Sequence, residues 1–425
     1  METQNLMSIK VQRINTFIKS DIKRVLLRPF NPTTKERSAK IIKRILALSE
    51  KKVIEQLNSI ISQFKSRHRD ITSFFLIRYN ENRHHIPDQI KLTENRKLLI
   101  GAYFSLEYSI EAASLFNPSM IWHPDQTGIP KESKRFIISL RATGEGHISS
   151  MGFRSGVINT NKQIILDNQS RFASLPHYET TNDGYIAKFS PDYQLSERVL
   201  FPFLPEEVNG IEDARFVHFG DEKGNKTFYA TYTAYDGKKI YSMLLETVDF
   251  LQFKIRKLTG PVIENKGLAL FPRNINGKYV MLSRQDNENN FIMFSDQLDY
   301  WDNKTLIMEP EYSWEFFQIG NCGCPIETES GWLVLAHGVG AMRKYIISAF
   351  LLDLNDPTKV IGRLKEPLMM ADENEREGYV PNVVYTCGGQ IWGQSLVFPY
   401  AMSDFACSFA LINLKELLHE LKAYR

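Results

Sequence analysis

The residues best suited to chemistry lie in Gly210-Ile211-Glu212-Asp213-Ala214-Arg215, where two adjacent carboxylates and a guanidinium follow a glycine. A carboxyl group beside an arginine can move a proton or hold a hydroxyl, provided a rigid element fixes it. Gly210 lacks the Cβ that disfavours positive φ, so the chain can turn tightly just ahead of the acids. The following run, Thr227 to Tyr235, alternates aromatic and small residues, and that period of two predicts a strand able to support them. Alone, the hexapeptide equally describes a solvated acidic turn.

Polar residues gather in five further places, each beside a strand-like run. The first is Phe116-Asn117-Pro118-Ser119. The second is the glycine-punctuated stretch Ser139 to Ser150, which carries Arg141, Glu145 and His147. It has no Walker lysine and no following helix, so it is not a nucleotide phosphate loop. Asn265-Lys266-Gly267 and Arg284-Gln285-Asp286 form the third, and His337 to Tyr345, with Arg343, the fourth. The last comprises Glu375-Arg376-Glu377-Gly378-Tyr379 and Pro399-Tyr400 with Asp404. Each could be a salt bridge in a turn; brought together, they suit a substrate with many hydroxyls plus an oxyanion.

The elements that must position these groups differ along the chain. Residues 1–95 form one segment. In it Thr33 and Glu36 have capping-box spacing, and apolar residues at helical period predict two helices broken near Ser49 and ending around Ser66. Lys65-Ser66-Arg67-His68-Arg69 closes the second helix, where cations suit the carbonyl end of the dipole. This segment reads as a helical extension that caps the body or joins copies of the chain. From residue 96 to 425 short alternating runs replace the helical period: 135–140, 163–166, 227–235, 279–283, 291–294, 332–335, 346–352, 380–385 and 395–399. Asp236-Gly237 and Asn276-Gly277 carry hairpin chemistry. Such spacing predicts an all-β fold, and the length favours a propeller over a single sandwich. A last helix is expected over 413–424.

Bulk properties narrow the classes. A net charge of +3 is too small for nucleic acid or anionic membrane to be the partner. Any bound anion must be held by a local cluster. The four cysteines lack zinc-site spacing and read as free thiols of a reducing compartment. No run reaches a membrane span or a signal-peptide core, so a cytoplasmic protein without metal is expected.

The ordered set Asn117-Pro118, Arg141, Gly210 to Arg215, Asn265-Lys266, Arg284, His337-Gly338 and Pro381-Asn382-Val383-Val384 resembles glycoside hydrolase family 130, over about residues 110–410. The resemblance implies a five-bladed β-propeller that cleaves β-mannosides with inversion. It implies phosphorolysis to mannose 1-phosphate first and hydrolysis second; a non-catalytic glycan- or protein-binding propeller is a third reading. Asp213 matches the proton donor, although Ala214 stands where the motif usually has proline. Asn117, Arg141, Glu212 and Asp404 would bind the sugar, and Arg215, Lys266, Arg284, His337, Arg343 and Tyr345 the phosphate. A hydrolase would need a base, for which Glu145, Glu375 and Glu377 are available. No cofactor is implied beyond phosphate as co-substrate.

Overall fold

The computed structural model describes residues 9–221 and 223–423. The start of the first segment and the end of the expected last helix, Tyr424 included, lie outside them. The chain divides into two compact units, one of Asp21–Ile110 with Ser170–Ser174, the other of the remaining residues.

The smaller unit is mainly helical. Lys35–Leu46 and Glu50–Phe64 are the two expected helices. The first is capped by Thr34, one residue beyond the expected Thr33, because Thr34 is extended and its side chain accepts from Arg37 N. Two further helices, Ile71–Asn82 and Glu94–Tyr103, escaped the periodicity. In Ile71–Asn82 the buried face mixes Ile71, Phe75 and Tyr79 with Arg78 and Asn82, while Leu76 and Ile77 point outward. That mixture erases the apolar stripe. Arg78 is buried because its Nε donates to the Phe104 carbonyl at 3.0 Å. The basic cluster after the second helix is tied down by Glu107, which meets Arg67 Nη1 at 2.6 Å and His68 Nε2 at 2.8 Å.

The larger unit is antiparallel β, in five sheets of four to six strands. Four of the sheets carry at one edge, in turn, the strands Ser114–Trp122, Ile211–Gly220, Ala269–Leu270 and Gln318–Asn321. The fifth joins the two chain ends, since Val11–Lys19 pairs with Ala406–Asn413, followed by Ser395–Met402 and the edge strand Val384–Tyr385. The beginning of the segment expected to be helical is thus a strand. Its register sets Val11 opposite Ile412 and Ile18 opposite Cys407, slips between Ile14 and Ile18, and buries Ile18.

Hydrogen bonds link the five sheets in succession. Ser119 Oγ accepts from Phe216 N at 3.1 Å, Ser242 Oγ donates to the Asn265 carbonyl at 3.1 Å, and Asn321 Nδ2 to the Gly267 carbonyl at 2.9 Å. Tyr345 N donates to the Asn382 carbonyl at 3.2 Å, and Cys387 N to the Pro118 carbonyl at 2.8 Å. Apolar clusters fill the spaces between, with Trp301 and Trp332 wholly buried.

Asn276-Gly277 forms the expected tight hairpin, both residues at positive φ and Ile275 paired with Lys278. Asp236-Gly237 also lies in a hairpin turn, between Tyr235 and its partner Ile240, with Gly237 at φ 95° and the Asp236 carboxylate accepting from Lys238 N and Lys239 N. The strand expected over 380–385 shrinks to Val384–Tyr385, because Pro381 has no donor and Asn382 is left-handed at φ 61°. The last helix spans Leu414–Ala423, with Leu417 and Leu421 buried.

Glu375 clamps the N-terminal strand to this body. Its carboxylate accepts from Arg13 Nε at 3.0 Å, Tyr400 OH at 2.6 Å and Asp372 N at 3.1 Å. Removing a buried partner of an ion pair leaves the rest unsatisfied. Glu375→Ala is expected to cost about 3 kcal/mol, read as a lower urea midpoint; an unchanged midpoint would show that the clamp carries no stability.

Candidate active site

Edge strands and their neighbours build a single polar cavity of about 290 Å³. Edge strands bring Phe116, Asn117, Asp213, Gln318 and Tyr385, and Lys266 stands just before Ala269–Leu270. The second strands, or the turns that leave them, bring Arg141, Arg284, His337 and Asp404. Equivalent places in several sheets thus feed one site.

Backbone irregularity aims the key side chains. The pairing of Ser114–Trp122 slips between Phe116 and Ser119, and that of Ile211–Gly220 between Glu212 and Arg215. Asn117 (φ 48°) and Asp213 (φ 55°) occupy these bulges in the left-handed region. Asn and Asp tolerate that region better than other non-glycine residues, and a bulge redirects a side chain off the pleat. The two meet: Asn117 Nδ2 donates to Asp213 Oδ1 at 2.7 Å. Gly210, at φ 125°, approaches Ser149 so closely that a Cβ would lie 2.8 Å from its nitrogen.

Cations surround the acids. Arg141 Nη2 donates to Glu212 Oε1 at 2.8 Å, and its Nη1 lies 3.5 Å from Asp213 Oδ1. Lys266 Nζ is 3.9 Å from Glu212 Oε2. Burial alone would raise the Asp213 pKa. The charges of Arg141, Arg215 and Lys266, with the Asn117 bond, outweigh it and hold the carboxyl below its ordinary value. Asp404 goes the other way: burial, reinforced by Asp213 and opposed by Arg141 and Arg343, pushes it up to about 6.

Arg215 does not line the cavity. It is buried and donates to the Cys322 carbonyl, the Asp213 carbonyl and Tyr385 OH at 2.8, 2.9 and 2.9 Å. Arg284 Nη1 and Gln318 Nε2 approach His337 Nε2 at 2.8 and 3.1 Å. Two donors on Nε2 make it the acceptor and leave the proton on Nδ1, 3.9 Å from Cys322 Sγ. Burial first, then the charges of Arg284, Arg215 and Lys266, hold the imidazole pKa well below the usual range. His337 is therefore a neutral acceptor that orients Arg284, not a cation. Arg284 Nε and Asn117 Oδ1 are buried without a hydrogen-bond partner among the described residues.

Of the sequence-derived candidates, Asn117, Arg141, Asp213, Lys266, Arg284, His337, Arg343, Tyr345 and Asp404 line the cavity, and Glu212 touches it through Arg141. Glu145, Glu375 and Glu377 are not among its lining residues: Glu375 is consumed in the strand clamp, and Glu145 and Glu377 are exposed. Gln318, Asn287 and Tyr385 line it without having been singled out. Tyr385 directly follows the Pro381 to Val384 motif and could have been included; Gln318 carries no sequence signal. No group of three or more His, Cys, Asp or Glu able to hold a metal occurs among the described residues.

Comparison with known proteins gives the family of the chain. Residues 167–423 match the family described as beta-1,4-mannooligosaccharide phosphorylase, glycoside hydrolase family 130. The chain is 35% identical over 230 residues to a 1,2-beta-oligomannan phosphorylase of Thermoanaerobacter sp. (strain X514), covering 53% of this chain and 75% of that one. It is 30% identical over 325 residues to a beta-1,2-mannobiose phosphorylase of the same organism, covering 73% and 94%. In fold it is similar to the beta-1,2-mannobiose phosphorylase of Listeria innocua, with a TM-score of 0.55 at 22% identity over 74% of this chain and 93% of that one. The protein is a mostly β enzyme acting on glycosidic bonds. It belongs to glycoside hydrolase family 130.

A neutral His337 makes stability depend on pH. Its folded pKa lies below that of the unfolded chain, so between the two values the unfolded state binds more protons and stability falls as pH falls. Each such group contributes a slope of at most about 1.4 kcal/mol per pH unit. Unfolding free energies from pH 7 to 5 are expected to decline less steeply in His337→Gln than in wild type; parallel profiles would mean that His337 titrates in the fold as it does in the unfolded chain.

Proposed function

We propose that this enzyme cleaves β-mannosides by phosphorolysis, with inversion, releasing mannose 1-phosphate. One observation carries the reading: Arg141, Lys266, Arg284 and Arg343 line a small polar cavity in which the carboxyl of buried Asp213 is held below its ordinary pKa and Arg284 keeps an unpartnered Nε. Such a concentration of positive charge needs an anion, and attacking water would supply none. The names of the relatives, phosphorylases of β-1,2-mannobiose and oligomannan, agree.

In the proposed step a phosphate oxygen forms a bond to the anomeric carbon while the bond to the leaving sugar breaks on the opposite face. Asp213 gives its proton to the departing oxygen. Because the free carboxyl is ionised, it must first be recharged. Phosphate does this, since its negative charge offsets Arg141 and Lys266, raises the Asp213 pKa and brings a proton into the site. Arg284, positioned by neutral His337, would hold phosphate with Lys266, Arg343 and Tyr345. Arg215 acts through the Asp213 backbone. Asn117, Arg141, Glu212 and Asp404 would hold sugar hydroxyls, Asp404 as a donor when protonated.

The architecture that supports this reading is a five-bladed propeller, the five sheets being blades joined by the succession of inter-sheet bonds and the last blade assembled from both chain ends. In that reading the helical N-terminal segment is accessory to the catalytic β body. The cytoplasm, where phosphate is abundant and a sugar phosphate is retained, suits the reaction.

Incubation with β-1,2- and β-1,4-mannobiose is expected to give mannose 1-phosphate only when phosphate is present. Free mannose formed without phosphate would make the enzyme a hydrolase instead, with Asp404 the cavity carboxylate left to act as base. Asp213→Asn is expected to keep the fold and lower kcat by about 10²–10⁴-fold; a wild-type rate would remove Asp213 from the acid role.

A further inference from the structure

The anion side of the cavity opens into a wider groove of about 660 Å³, lined among others by Phe316, Phe317, Met342, Arg343 and Tyr345. Phe317, Arg343 and Tyr345 line cavity and groove alike, so the groove departs from the residues proposed to hold phosphate. Tyr345 is placed there by His337, whose ring lies nearly parallel to its own with centroids 6.0 Å apart. Beyond Arg343 the lining turns apolar and open to water. Phe316 is 67% exposed, Phe317 71% and Met342 92%.

The backbone beneath these side chains is fixed. Phe317 N donates to the Val339 carbonyl at 3.0 Å, and the Glu315 carboxylate accepts from Glu311 N and Tyr312 N at 2.8 and 3.0 Å. On the other wall Gly340 N donates to the Lys344 carbonyl at 3.1 Å, closing a turn that holds Met342 and Arg343 left-handed, at φ 59° and 54°. That conformation is unfavourable for such residues and points to a function when it is retained. Two aromatic rings and a pliant thioether on rigid backbone, around open space, make a place for a flat apolar group. Inorganic phosphate would use none of it.

A phosphate ester whose substituent runs along the groove would use both parts. A diphosphate suits the junction: one phosphate takes the place of inorganic phosphate beside Lys266 and Arg284, and the second meets Arg343, where cavity and groove join. A purine base carried by that diphosphate would reach Phe316, Phe317 and Met342, since stacking on aromatic rings needs a flat face and no hydrogen-bond readout. The resting state of the acid fits a reaction in this direction. Asp213 is held below its ordinary pKa, so in the free enzyme it is a carboxylate able to accept a proton from an attacking hydroxyl.

We propose that the enzyme also takes a purine nucleoside diphosphate ester of α-mannose as a mannosyl donor, with the diphosphate in the anion site and the base between Phe316 and Met342. The proposal rests on the β-mannoside reading above, run in the synthetic direction. A hydroxyl oxygen of an acceptor β-mannoside forms the bond to the anomeric carbon, and its proton passes to the Asp213 carboxylate. The bond from that carbon to the diphosphate breaks on the opposite face. Its electron pair leaves with the nucleoside diphosphate, so an α-linked donor gives a β-linked product.

The test supplies β-1,2-mannobiose as acceptor and, separately, GDP-mannose, ADP-mannose or α-mannose 1-phosphate as donor, and follows elongation by chromatography. At least one nucleotide donor is expected to lengthen the mannoside, with release of an equal amount of nucleoside diphosphate. Phe316→Ala is expected to lower kcat/KM for that donor about tenfold, the loss of about one base–aromatic stack. Met342→Ala is expected to lower it severalfold, and neither substitution to change kcat/KM for mannose 1-phosphate. Elongation from mannose 1-phosphate but from neither nucleotide would overturn the proposal and leave phosphorolysis standing. Nucleotide-dependent elongation that both variants retain in full would overturn the groove as its site. Elongation from a nucleotide but not from mannose 1-phosphate would support the proposal and overturn phosphorolysis alone. No elongation from any donor would overturn both.

Discussion

A single hydrogen bond, from Asn117 Nδ2 to Asp213 Oδ1, sets the conditions for everything else in the site. Its two residues belong to different sheets, and each sits where an edge strand bulges and turns left-handed. The bond forms only if both bulges are present and the sheets keep their mutual register, which the Phe216–Ser119 bond and the Pro118–Cys387 bond hold on either side. Gly210 is required for the same reason, since a side chain there would strike Ser149 and displace the strand that carries the acid. A carboxyl positioned in this way does not have to find its geometry when substrate arrives.

Around that bond the electrostatics are unbalanced in favour of cations. Asp213 is held ionised, Asp404 is pushed toward protonation, and His337 is kept neutral by burial first and then by nearby cations, among them the Arg284 that it orients. An ionised acid is not yet an acid catalyst. In the proposed reaction the co-substrate corrects this: phosphate lowers the positive field and so favours the protonated carboxyl. Linkage makes the effect reciprocal, because protonation of Asp213 must then tighten phosphate binding by the same factor. Nucleophile and proton donor would thus be readied by one event.

The sequence made much of this legible, unevenly. Short apolar runs and hairpin dipeptides located the strands; in Tyr279–Ser283 both faces are buried, Val280 and Leu282 in one cluster and Met281 in another, so the run is continuously apolar rather than alternating. The site motifs were visible because bulges and left-handed turns demand Asn, Asp or Gly, the residues on which the resemblance was built. Three features were hidden for physical reasons. Val11–Lys19 pairs with the far end of the chain, a partner no local pattern announces. Ile71–Asn82 mixes buried Arg78 and Asn82 into its inner face and loses its stripe. Glu375 looked available for catalysis because sequence shows a carboxylate but not its partners; Arg13, several hundred residues distant, occupies it. Likewise the sequence names His337 for phosphate without its protonation state, which burial and Arg284 set as neutral.

In the proposed reaction the cation cluster keeps Asp213 ionised until phosphate enters. Carbon-13 NMR of carboxyl-labelled enzyme, with Asp213 assigned from the Asp213→Asn variant, measures its titration directly. The Asp213 pKa is expected to lie below the ordinary aspartate value in the free enzyme and to shift upward when inorganic phosphate is added. A carboxyl already protonated near neutral pH without phosphate, or a titration that phosphate leaves unmoved, would contradict it.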